Sequence, residues 1–340
     1  MNMTSSLDQL IDTLAELKYK DTILLKLCFS LVFYSLDLAQ PDQKQAVLQM
    51  YDDYVALYGT QLKWTTNPDT GSWKKLKSGP ASYVTPHEWL LKEPQANGFE
   101  FLYHGTPDKE SATDISFFAY GRALHGVKDH DLGIILCRFP IIDVLNGNVV
   151  LPEIFYRWCC FLKPYHAHGG FCIGRCPDQL GQKKYYSSLE TEILLNHVGI
   201  QLYGYAEGLY FKQREEGLYN GPRCADWLIA LSDPFVEKLR GIDAIAEKMN
   251  PLPWQAYDGG IALQAGDAPG LGDKNGDSLP DYMHLAKVIE SVRAKKLQRE
   301  LCVAYNDPLL EKLGLPHGKA SDETICPREL SDMWHNRFSS

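Results

Sequence analysis

Two histidines one residue apart, His166 and His168, precede two cysteines, Cys172 and Cys176. Imidazole and thiolate are the usual ligands of zinc. If residues 166–172 form one strand, His166, His168 and Cys172 share a face. Against a metal, the chain holds no CxxC pair, and Gly169-Gly170 is expected to break or bulge the strand. The reading preferred is a hydrogen-bonded histidine pair beside small buried thiols.

A second stretch, residues 266–281, alternates glycines and acids. Gly270-Leu271-Gly272-Asp273-Lys274-Asn275-Gly276 comes near a dinucleotide fingerprint, but its third glycine is one residue late. Asp267, Asp273 and Asp277 would oppose any phosphate, and Lys274 does not offset them. The alternating Asp273, Asn275 and Asp277 also suggest calcium. A loop begun at Asp273 would need a glycine at position 278 and a glutamate at position 284; the chain has Ser278 and His284. Glycines for tight turns, and a cap from Asp277 or Ser278 for a helix near Leu279, suffice. Neither cofactor nor metal is expected.

Nucleophilic catalysis has no carrier, since no GxSxG elbow occurs. The carboxylate pairs Asp52-Asp53, Glu190/Glu192 and Glu215-Glu216 read as solvated faces.

The elements that would hold these residues alternate. Leu7, Ile11, Leu14 and Leu17 mark a short N-terminal helix, and residues 22–36 a strand. Pro41-Asp42 opens a helix burying Val47, Met50, Tyr51, Tyr54, Val55 and Tyr58. Asn67-Pro68-Asp69-Thr70-Gly71 is a turn, and Thr85-Pro86 starts another helix. Strands follow at 99–103, 115–120 and 133–139, then a helix over 151–161. The second half gives strands at 171–174, 227–231 and 254–265, and helices at 185–198, 234–239 and 279–292. Regular βαβ crossovers are few, so the fold class expected is α+β, with mixed or antiparallel sheets packed with helices. A boundary near 125–131 would make two similar fused halves.

The chain has 340 residues, with 45% hydrophobic and 23% charged, and its 19 Tyr, 13 Phe and 7 Trp supply a core without staples. Nine cysteines cannot all pair, which points to a reducing compartment. The start carries no early basic residue, Lys26 and Ser30 interrupt the first apolar stretch, and no run is long enough to span a membrane. A cytoplasmic protein off the membrane is expected. The net charge of −9 disfavours nucleic acid as a partner.

Taken in order, Gly169-Gly170, Asp226-Trp227-Leu228, Gln264-Ala265-Gly266 with Leu271-Gly272-Asp273, and Leu279-Pro280-Asp281-Tyr282 resemble the type VI secretion immunity family, over Leu24 to Val292. The resemblance implies a non-enzymatic protein that binds a cognate effector toxin. Several such proteins sit beside nucleases of the restriction-endonuclease fold, which implies action in the cytoplasm. It carries over no catalytic motif and no fixed contact residues. On it, residues 1–21 are an N-terminal extension, 22–300 the immunity domain (halves 22–128 and 129–300) and 301–340 a C-terminal extension. The alternative is a cytosolic metal- or nucleotide-dependent enzyme using residues 166–176 or 266–281. Homodimerisation is left open.

An inhibitor of a nuclease can compete for its basic cleft with acids. The acid-rich, turn-prone segments are Asp267, Asp273, Asp277 and Asp281, and Glu215-Glu216. Tyr219 and Trp254 are the aromatic anchors nearest them.

Overall fold

The computed structural model describes residues 3–338 except 94–96, 123–131, 178, 204–220, 274–277 and 295–300. Helix α1 (Met3–Glu16) leads to paired strands β1 (Lys18–Tyr19) and β2 (Thr22–Ile23), then to β3 (Leu25–Leu36). Next come α2 (Pro41–Tyr58), the hairpin β4 (Trp64–Thr66) and β5 (Trp73–Lys75), α3 (Pro86–Trp89), and strands β6 (Phe99–His104), β7 (Ser116–Gly121) and β8 (Leu132–Phe139). Helices α4 (Ile141–Leu145) and α5 (Leu151–Leu162) precede β9 (His166–Arg175), α6 (Gln179–Asn196), β10 (Gln201–Leu202) and β11 (Leu228–Ser232). Then follow α7 (Asp233–Lys238), α8 (Ile242–Met249), β12 (Trp254–Tyr257), β13 (Gly260–Gln264) and α9 (Pro280–Ile289). The C-terminal part adds β14 (Val303–Ala304), α10 (Pro308–Lys312), β15 (Thr324–Ile325) and α11 (Arg328–His335).

One 11-stranded sheet runs β12-β13-β11-β9-β3-β8-β7-β6-β4-β5, with β10 beside β9. Its ladders are antiparallel except β9/β10, so the α+β reading holds. The near-continuous apolar run of β3 is what a strand covered on both faces requires, and its residues 27–34 are all buried. It joins the strands of residues 64–139 on one side to those of 166–264 on the other. The proposed boundary at 125–131 lies outside the described residues.

One face of the sheet carries Phe29, Phe33 and Phe139 against Phe155 and Trp158 of α5 and Tyr54 of α2, with ring centroids 5.5–6.2 Å apart for Phe33–Phe155, Tyr54–Phe139 and Phe139–Trp158. The other holds a second cluster with Cys28, Val32, Tyr34, Leu136, Cys172 and Tyr203. Across its middle runs a buried polar row in register: His104 opposite Ser116, Ser116 opposite Arg138, Arg138 opposite Ser30, Ser30 opposite Gly170.

Five local expectations are corrected. In α1 the inward stripe is Leu7, Leu10 and Leu14, and Ile11 is 37% exposed; spacings of three and four both follow the helix pitch, so periodicity admits Leu10 as readily as Ile11 and packing on the core selects Leu10. Strand β9 runs unbroken through Gly169-Gly170, because a Cβ on Gly170 would run into the Asp226 carboxylate. Residues 254–265 form a hairpin, turning at Asp258-Gly259, the two-residue turn such a dipeptide favours. Glu190 is buried and Asp53 half-buried, and both are paired rather than free on a solvated face. Asp53 accepts from Arg157 Nε and Trp158 Nε1, both at 2.9 Å, tying α2 to α5. Buried Glu190 takes Arg175 Nε and Nη2 at 2.7 and 2.6 Å, tying α6 to β9. Finally, Cys302 and Cys326 are joined in a disulfide, leaving the other seven cysteines as thiols. An odd count excludes complete pairing, not one bridge.

Candidate functional site

His166, His168 and Cys172 do share one face of β9, opposite Tyr34, Val32 and Cys28 of β3. All three are fully buried. The His166 and His168 rings lie 5.4 Å apart, edge to face. Burial, helped by His166 and the charges of Arg223 and Arg337, pushes the His168 imidazole well below its usual range, and neither of its ring nitrogens has a hydrogen-bond partner. The hydrogen-bonded pair expected here is therefore not formed at His168. Cys176 lies beyond the end of β9, in the larger core. Among the described residues no group of three or more His, Cys, Asp or Glu side chains is placed to hold a metal ion.

Tyr203, whose ring centroid lies 6.1 Å from that of His168, connects these rings to Asp226. Asp226 Oδ1 accepts from Trp227 N at 2.8 Å and its Oδ2 from the Tyr203 hydroxyl at 3.0 Å. Burial nevertheless holds its carboxyl well above the carboxylate range. A neutral acid and a neutral imidazole inside a sheet cost less than two buried charges. They belong to the core.

The glycine-rich stretch is only partly described: residues 274–277 lie outside. The carbonyls of Leu271 and Gly272 meet Gly199 N (2.8 Å) and His197 Nδ1 (3.2 Å), so this part packs on the end of α6.

Of the partner-binding candidates, Trp254, Asp267 and Asp281 are exposed and Asp273 is half-buried, while Glu215, Glu216, Tyr219 and Asp277 lie outside the described residues. Two acidic segments meet at Gly266. Its carbonyl accepts from Trp227 Nε1 (3.2 Å) and Gln264 Nε2 (2.8 Å), and Asp281, in the first turn of α9, lies against it. Asp267 follows directly. Trp254 stands on the outermost strand β12, opposite Leu263 of β13. A cleft of about 280 Å³ separates β12 from the start of α5, lined by Pro152, Glu153, Phe155, Tyr156, Trp254 and Leu263 among others.

Sequence patterning did not find a shoulder of exposed apolar residues in the stretch of chain that leads into that cleft. Ile142 (61% exposed) and Leu145 (43%) on α4, and Val150 (47%) before α5, all face solvent. The only signal was apolar residues in excess of what a five-residue helix can bury.

The family model described as TsiV, type VI immunity for VRR-NUC, matches residues 46–309. The chain belongs to this family. Type VI immunity is thus its function, as the resemblance implied, though the match starts later, at Ala46, and runs on to Leu309. In structure this immunity protein is similar to the Pseudomonas aeruginosa T6SS protein PA0821, with a TM-score of 0.77 and 16% identity, covering 99% of this chain and 90% of that one. At that identity the likeness establishes the fold. No curated protein matches the immunity protein in sequence. No helix among its described residues is long and apolar enough to cross a membrane.

Proposed function

We propose that this immunity protein neutralises a VRR-NUC nuclease effector in the cytoplasm by binding it one to one and occluding it, with no chemistry of its own. Membership of the immunity family, over residues 46–309, is the observation that carries the reading. The reactive side chains add support, because His166, His168, Cys172 and Asp226 are all buried in the core. The unit we assign is residues 22–300, with 1–21 and 301–340 as extensions.

The effector-facing surface is proposed at Asp267, Asp273 and Asp281 with Trp254; Glu215, Glu216, Tyr219 and Asp277 are kept on sequence alone. A nuclease must carry cationic groups for phosphate. Acids gathered at Gly266 compete for them and speed encounter, while an aromatic anchor supplies lasting contact. Such complexes bury on the order of 1,600 Å².

The test is co-expression of the chain with the nuclease. Rescue of growth together with co-elution of the two proteins is expected. Rescue with no detectable complex would point to an enzymatic antidote and end this reading.

A further inference from the structure

Of the ten large hydrophobic side chains that face solvent among the described residues, three, Ile142, Leu145 and Val150, fall in the short stretch just before α5, and a fourth, Trp254, lines the cleft at the start of α5. Helix α4 is held there by Val149 N donating to Asp143 O at 3.0 Å. This bond brings the chain back to the backbone of α4 just before Val150, and Val150 leads through Leu151 into Pro152 at the cleft. Trp254 forms the opposite wall. Scattered apolar residues need no explanation, but a clustered patch beside an apolar cleft marks a binding surface.

The charges around it are one-sided. Glu153 is the sole charged residue lining the cleft, and it is exposed, with no ion pair among the described residues. The cations of α5 and its end are consumed: Arg157 pairs with Asp53 at 2.9 Å and Lys163 with Asp258. A partner that fills the cleft therefore meets apolar walls and one unbalanced carboxylate.

We infer that this corner is the apolar anchor site for the cognate effector, which inserts a large apolar side chain between Trp254 and Tyr156 and sets a lysine or arginine against Glu153. The inference rests on the binding reading above and adds the contact that governs dissociation. Truncating such an anchor slows nothing in the encounter but releases the complex faster.

The experiment measures the affinity of the full chain for the catalytically inactivated effector, for wild type and for Trp254→Ala, Ile142→Asp and Glu153→Lys. These side chains are exposed, so the melting temperature should not move; Trp254→Phe is the milder check. Trp254→Ala and Ile142→Asp are expected to weaken binding by about thirtyfold or more through the dissociation rate, and Glu153→Lys to lower the salt dependence. Tight wild-type binding with all three variants within about twofold would overturn the anchor site and leave immunity by binding standing. A wild-type chain that does not bind would overturn both. A dimer that the variants convert to monomer, at unchanged effector affinity, would make this corner a self-interface and also overturn the inference.

Discussion

The carboxylate of Asp281 lies over Gly266: a Cβ placed on that glycine would sit 2.5 Å from Asp281 Oδ2. Gly266 also has φ of +78°, a region that side-chain-bearing residues adopt at a cost of about 1–3 kcal/mol. Glycine is thus what lets the strand β13 end against the start of α9. Gly266→Ala is expected to lower unfolding stability by about 2 kcal/mol, read from denaturant midpoints. A midpoint equal to wild type would show that the two segments do not meet as described.

The bidentate pair of Arg175 and Glu190 is a second joint, between β9 and α6. Both side chains are largely buried, at 14% and 2% exposed. Removing one partner of such a pair leaves the other charge without compensation and costs about 3–5 kcal/mol. Glu190→Ala should lose stability on that scale, and Glu192→Ala, two positions on and exposed, should lose under about 0.5 kcal/mol. Equal effects at the two sites would refute the assignment.

Acid should weaken the fold, with a sign set by three buried groups. Burial pushes His104 down to about 4 and His168 further below its usual value. Below about pH 6.5 the unfolded chain takes up these protons and the folded chain does not, so each histidine makes stability fall as pH drops. His104 alone is worth about 3 kcal/mol between pH 6.5 and 4. Asp226 acts oppositely: its raised pKa means the folded chain keeps a proton that the unfolded chain releases above about pH 4. Asp226→Asn is expected to raise stability at pH 7, because the amide oxygen can still accept from Trp227 N, the amide NH2 can donate to the Tyr203 hydroxyl oxygen, and no proton need be held. The same variant should steepen the loss on acidification. A lower stability at pH 7, or an unchanged slope between pH 6.5 and 4.5, would contradict this account.

Much of this architecture was legible in the residues. The run of residues 25–36 is apolar on both faces because β3 lies in the middle of the sheet, and the aromatic stripe of α2 packs on Phe101, Phe117 and Phe139 of β6, β7 and β8. Asp258-Gly259 is a hairpin signal inside the span 254–265 that alternation alone reads as one strand. What periodicity could not show were the long-range pairings. Asp53 and Glu190 look like surface acids until Arg157, Trp158 and Arg175 arrive from other elements. The unbroken β9 depended on a glycine matched to Asp226, 56 positions along the chain. At the candidate surface, sequence supplied Trp254, Asp267 and Asp281 but not the meeting of the two acids at Gly266. The shoulder of Ile142, Leu145 and Val150 was hidden because an exposed apolar residue has the same letter as a buried one.

Charge at the proposed surface should govern encounter more than residence. Replacing Asp267 by Lys and Asp281 by Asn removes two negative charges and adds one positive charge on one side of the molecule. The association rate with the effector is expected to fall several-fold at low salt, with a flatter salt dependence and a nearly constant dissociation rate. An unchanged rate and salt slope, with the fold intact, would place the interface elsewhere.

The most direct measurement titrates the purified chain into a fixed amount of the cognate nuclease and follows substrate cleavage. Occlusion predicts that activity falls in proportion to added chain and vanishes at about one equivalent, with one complex in solution at that ratio. Inactivation of many nuclease molecules by one molecule of this chain, or full activity at excess chain, would contradict it.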